Sequence, residues 1–167
     1  TELQISAEIE HFIRYNGSQM SAFDLIIASG PNSSYPHASV TNRKINKGEP
    51  LLLDIGVQIN GYKSDLTRVF FLDKINSFQR SIFEIIKEAQ AKAFEAIKPG
   101  VLICEVDAAS RNFIAKSGYR RYFGHSLGHG VGLDIHEEPS ISSKNKSILQ
   151  EGMVFTIEPG IYIPNKF

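Results

Sequence analysis

Apolar residues recur at two different periods along this chain, and the changes of period divide it into elements. Leu3, Ile9, Phe12 and Ile13 fall at helical spacing over residues 1–15, and Gly17 follows as a stop. Residues 21–29, SAFDLIIAS, read as a strand that ends in the turn cluster Gly30-Pro31-Asn32-Ser33-Ser34. Two β-rich runs, 51–59 and 62–72, flank Asn60-Gly61, a pair that favours a tight hairpin with a type I′ turn. From Ser77 to Lys98 the residues Phe78, Ile82, Ile85, Ile86, Ala89, Ala93 and Ile97 return every three or four positions, and Pro99-Gly100 closes that helix. A second helix is expected at about 104–116, ending at Gly118. A glycine-punctuated stretch, GHSLGHGVGLDIHEEP, leads to a final strand, MVFTIEPGIYI. Strand, strand, helix, helix and strand in that order, with an antiparallel hairpin, predict an α+β fold rather than a doubly wound parallel sheet. The letters hold no repeat, low-complexity segment or linker, so residues 1–167 are expected to form one domain.

Composition narrows the class. A chain of 167 residues can bury about two thirds of its unfolded surface, enough for a real core. Basic and acidic residues balance at 18 each, which favours neither nucleic acid nor a membrane surface as partner. No apolar run is long enough to span a bilayer. Cys104 is the single cysteine, so no intrachain disulfide can form, and a reducing, cytoplasmic setting is expected. Cys104 stands at the start of an amphipathic helix with no glycine-rich elbow, which speaks against a nucleophile. The first residues, TELQISAEIEHF, lack the regions of a signal peptide and open without Met. The last, GIYIPNKF, stop inside an apolar run, so both ends read as cut.

The hairpin carries the first candidate chemistry. If Asn60 and Gly61 are the turn residues, Ile59 faces Tyr62 and Asp65 lies opposite Gly56, two positions from Asp54 on the same strand. Side chains alternate faces, so Asp54 and Asp65 become diagonal neighbours about 7–8 Å apart at the backbone. Like charges held together away from water are costly unless they are protonated or neutralised by cations. The competing reading is a pair of exposed strand carboxylates matched to Lys63 and Arg68.

Further donors lie downstream. His125, His129 and His136 fall amid Gly124, Gly128, Gly130 and Gly132, and so many glycines argue for strand or loop rather than helix. A lone histidine is usually structural, but three of the chain's five in one segment signal a site. Glu158 sits among Phe155, Ile157 and Ile161, where a solvent-facing carboxylate is not expected. Aspartate, histidine and glutamate together suit Mn²⁺, Co²⁺, Fe²⁺ or Zn²⁺, and no thiolate set selects structural zinc. Paired metal ions activate water for hydrolysis, so a metal-dependent hydrolase is the class these residues reach.

The sequence resembles the pita-bread metallopeptidases, which include methionine aminopeptidases, Xaa-Pro aminopeptidases and prolidases. The motifs that carry the resemblance run from AEIEHFIRYNG through SGPNSSYPHA, LLLDIGVQINGYKSDLTRVFF and GHSLGHGVGLDIHEEPS to EGMVFTIEPGIYIP. It implies a curved antiparallel sheet covered by helices and a dinuclear metal centre, with Mn²⁺ first among the candidate ions. Asp54, Asp65, His129 and Glu158 stand at four of the family's ligand positions. A fifth, a bridging glutamate, would lie beyond Phe167, so the fold is expected to be incomplete at the C-terminus. The N-terminal domain common in Xaa-Pro peptidases is likewise expected to lie outside residues 1–167.

His125, four residues before His129, and the run Glu158-Pro159-Gly160-Ile161-Tyr162 make the chain more similar to the Xaa-Pro branch. The resemblance then implies hydrolysis of the bond before a proline in second position, by an Xaa-Pro aminopeptidase or dipeptidase, and is compatible with a homodimer. It assigns proton transfer to Glu158, oxyanion stabilisation to His136, and the shaping of the substrate pocket to His37 and His125. A methionine aminopeptidase and a non-catalytic binding module are the alternatives. Residues 1–167 alone are expected to fold around the hairpin, bring the four ligands together and hold metal poorly.

Overall fold

The computed structural model describes residues 1–167. They divide into two compact units, one of Thr1–Asn76, Leu133–Ile135 and Tyr162–Phe167, the other of Ser77–Gly132 and His136–Ile161.

The first unit opens with helix α1, Glu2–Tyr15, capped by a Thr1–Gln4 capping box. Its inner face is narrower than the spacing predicts. Ile13 is buried and Ile9 packs against the core with Leu25, Ile27 and Leu51, whereas Leu3 and Phe12 stay exposed. Glu2 takes the position expected of an apolar residue. It is fully buried, and its carboxylate accepts hydrogen bonds from Ser29, Asn32 and Thr41. A buried carboxylate tolerates removal from water only when so many donors replace the lost hydration.

The run 21–29 is not one strand. It gives β1, Met20–Ser21, and β2, Ile26–Ser29, separated by residues outside any ladder. The hairpin likewise splits, into β3, Pro50–Ile55, and β4, Val57–Ile59, on one arm and β5, Tyr62–Lys63, and β6, Leu66–Phe71, on the other. β3 lies between β2 and β6 in one antiparallel sheet, and β4 lies between β1 and β5 in a second. Gly56 sits at the break. A Cβ there would collide with the Ser64 carbonyl oxygen and the Phe23 ring. The turn is of the expected kind, with φ of 53° at Asn60 and 87° at Gly61. The register also survives the break: Ile59 faces Tyr62, and further along Asp54 faces Thr67.

The second unit begins with α2, Ser77–Ala96, and α3, Ile103–Lys116, which pack together. Ala89 and Ala93 are fully buried on α2, where small side chains let the helices approach. Ile103, Val106 and Ile114 are the fully buried apolar residues of α3. Cys104 is half-buried within the first turn of α3.

Two further strands, β7, Gly128–Gly130, and β8, Glu137–Ile141, pair antiparallel across an irregularity between Gly128 and Gly130. β8 escaped the sequence reading, because DIHEEPSI has neither strict alternation nor a β-branched run. The strand expected over MVFTIEPGIYI does not form as a ladder. The segment is extended, with one isolated bridge between Gly130 and Phe155. Val131 N–H donates to Val154 O, Thr156 N–H to His129 O, and Glu158 N–H to Leu127 O. The last of these bonds is the one from Glu158, which Pro159 follows.

Candidate metal centre

In the first unit the hairpin register sets the position of both aspartates. Asp54 lies on β3, half-buried, and its Oδ1 accepts a 2.9 Å hydrogen bond from the Thr67 hydroxyl directly across the ladder. Asp65 precedes β6 and belongs with Thr67, Val69 and Phe71 to the less exposed face, while Leu66, Arg68 and Phe70 are exposed. The two aspartates therefore share a face, as alternation requires. His37 is exposed in the loop that follows the short 3-10 turn Gly30–Ser34.

The second unit brings the other candidates together. His129 stands in β7, His125 in the irregular stretch before it, and His136 immediately before β8. None is helical, as the glycines predict. Gly128 is required where it stands, since a Cβ would strike the Thr156 carbonyl oxygen. The close approach seats residues 154–158 against β7 and places Glu158 beside His129.

His129 Nδ1 is 3.0 Å from the Gly130 carbonyl oxygen. A carbonyl can only accept, so Nδ1 carries a proton. The other ring nitrogen, Nε2, lies 3.2 Å from Glu158 Oε1. In the neutral ring Nε2 is an acceptor and faces another acceptor, an arrangement that calls for a cation between or beside them, either a proton or a metal ion. A backbone carbonyl that fixes the tautomer through Nδ1 is the usual support for a metal-binding Nε2. The donor set therefore fits a divalent ion.

Thr156 links the pair. Its hydroxyl donates to Glu158 Oε1 at 2.7 Å and accepts the His129 backbone N–H at 3.0 Å. Gln90 on α2 adds a hold from the other side, donating its Nε2–H to the Ile157 carbonyl at 2.8 Å. Burial pushes the Glu158 pKa up. Hydrogen bonds from His129 and Thr156, with the charges of His129 and His125, outweigh that and hold the carboxyl below its ordinary range. The exposed His136 ring packs edge-on against His129, with centroids 4.3 Å apart.

Sequence reasoning did not single out Thr67, Thr156 or Gln90. Two of them left a signal. Thr67 is the residue opposite Asp54 in the expected register, and Thr156 precedes Glu158 by two, on the same face of an extended segment. Gln90 left none, because its partner lies far along the chain.

The family model described as metallopeptidase family M24 matches residues 1–167, and the chain belongs to that family. Family membership implies divalent metal ions. The chain is 47% identical over 163 residues to an Xaa-Pro dipeptidase of Pyrococcus horikoshii, covering 98% of this chain and 46% of the relative. An Xaa-Pro dipeptidase of Pyrococcus furiosus is 48% identical, with 98% and 47% covered. Among solved structures, the prolidase from Pyrococcus furiosus superposes with a TM-score of 0.96 at 47% identity, over 99% of this chain and 49% of that one. The X-Pro aminopeptidase from Thermotoga maritima gives a TM-score of 0.97 at 41% identity, over 100% of this chain and 47% of that one. The pita-bread fold implied by the resemblance is thereby borne out. The chain spans about half the length of these relatives.

Proposed function

We propose that the protein hydrolyses the peptide bond before a proline in second position, using divalent metal ions held by Asp54, Asp65, His129 and Glu158. The observation that carries the reading is the His129–Glu158 pair, with Nε2 and Oε1 3.2 Å apart and the Nδ1 proton committed to Gly130. The hairpin supports it by placing Asp54 and Asp65 on one face, with Asp54 steadied by Thr67. The relatives named Xaa-Pro dipeptidase favour this specificity over that of a methionine aminopeptidase.

When bound, the ions supply Lewis-acid polarisation and lower the pKa of water. The chain's own residues do the rest. Glu158, ionised and oriented by Thr156, accepts the proton released as water attacks. His136 donates a hydrogen bond to the oxygen that gains charge at the scissile carbonyl. His37 and His125 shape the pocket for a proline ring, which must be recognised by shape because its nitrogen carries no proton in the peptide.

Mn²⁺ is the ion we place first, ahead of Co²⁺, Zn²⁺ and Fe²⁺, on the resemblance to the family; carboxylate and imidazole donors suit all four. A cytoplasmic location fits the single cysteine, and no helix is long and apolar enough to cross a membrane. A homodimer is the assembly we expect, to be measured by sedimentation. The function is tested by assaying the full-length protein on Xaa-Pro peptides and on Met-Ala across the four metals. Cleavage of the first set alone, dependent on added metal, supports the reading; inactivity on Xaa-Pro peptides with every metal contradicts it.

A further inference from the structure

Residues 123–126, which carry His125, belong to no ladder; the pairing resumes at Leu127, whose N–H donates to Ile141 O. Something other than a sheet must hold His125 in place. Arg111 on α3 reaches this stretch. Its Nη1 donates to the Phe123 carbonyl at 3.2 Å and its Nη2 to the His125 carbonyl at 2.8 Å. The guanidinium carbon also lies 4.1 Å from the centre of the Phe123 ring, and that ring meets the His125 imidazole edge-on at 5.1 Å. Arg111 thus holds His125 through its own carbonyl and through the aromatic ring beside it.

The guanidinium is itself fixed. Asp107, one turn earlier on α3 and fully buried, accepts from Nε at 2.8 Å and from Nη2 at 2.7 Å. Such a pair is weak evidence of stability alone, since apolar replacements of buried ion pairs are often neutral or better. What apolar residues cannot do is present a rigid fork to a carboxylate on one side and to two carbonyls on the other. His125 Nδ1, 2.7 Å from the Ser126 carbonyl, must carry a proton, so the ring's orientation follows the backbone that Arg111 grips.

We infer that Arg111, oriented by Asp107, is the positioning residue for His125, fixing the imidazole that meets substrate. The inference rests on the proposed function for what His125 does, but not for how His125 is held. A purely structural role would lower the amount of folded protein, and with it the apparent kcat, without moving KM.

The test uses the full-length protein. Arg111→Lys keeps a cation beside Asp107 and loses the fork. Phe123→Leu removes the intervening ring and leaves the ion pair untouched. Each should raise KM for peptides with proline second by at least about tenfold, with kcat within about threefold of wild type. Each should also shift the His125 ring proton signals in NMR spectra, assigned through His125→Ala. Should Arg111→Lys not fold, Asp107→Asn, which frees the guanidinium from its charged anchor while keeping Arg111, carries the same comparison. A folded variant with wild-type KM and unmoved His125 signals would overturn the inference. Wild-type protein that cleaves no Xaa-Pro peptide would sink the proposed function instead, and the NMR comparison would then decide the positioning role alone.

Discussion

Thr156 holds both members of the His129–Glu158 pair through one oxygen atom, accepting the His129 N–H at 3.0 Å and donating to Glu158 Oε1 at 2.7 Å. On the hairpin, Thr67 does half of the same task for Asp54. A hydroxyl that donates to a carboxylate occupies one of its acceptor directions and fixes where the others point. In both units, then, a threonine aims a carboxylate.

Thr156→Val keeps the shape of the side chain and removes the hydroxyl. Divalent-metal affinity of the full-length protein is expected to fall by about 10–100-fold, the range for lost outer partners of metal ligands. Calorimetric titration with Mn²⁺ measures it. An affinity equal to wild type would show that Glu158 is held without the hydroxyl.

Glu158 makes stability depend on pH in a definite direction. Its folded pKa is depressed below the ordinary value of 4.5, so the contribution is present above that value and is lost as pH falls through the folded pKa. In metal-free protein, Glu158→Gln should therefore be less stable than wild type at about neutral pH, with the difference closing as the medium is made acid. Denaturant unfolding of both proteins across this range reads it. A gap that widens on acidification would contradict the sign.

The candidate site was more legible than the strands that carry it. Asn60-Gly61 specified the turn, and the turn specified a register that still aligns Asp54 with Thr67 beyond the break at Gly56. Gly56 marks the break, and the crowding there by the Ser64 carbonyl oxygen and the Phe23 ring, which leaves no room for a Cβ, was not legible in the sequence. Residues 154–158 looked like a strand because their composition is β-rich, yet they form an extended segment joined to β7 by scattered bonds. The burial of Glu2 was not legible, since it depends on donors at Ser29, Asn32 and Thr41 that no periodicity reveals.

His136 packs its ring on His129 and is assigned to the developing oxyanion rather than to the metal. His136→Ala should lower turnover by roughly 100-fold or more while leaving metal content unchanged, in line with the loss of an oxyanion donor. Steady-state kinetics and elemental analysis of the same preparation check both halves. Metal lost with the imidazole would make His136 a ligand.

The most direct test of the account is the metal content of the full-length protein, measured by elemental analysis after loading with Mn²⁺ and desalting. Wild type should retain the ion, and Asp54→Asn, Asp65→Asn, His129→Ala and Glu158→Gln should each retain less while keeping the wild-type circular dichroism spectrum. Folded variants that hold as much metal as wild type, or a wild type that holds none, would contradict the claim that these four side chains form the metal centre.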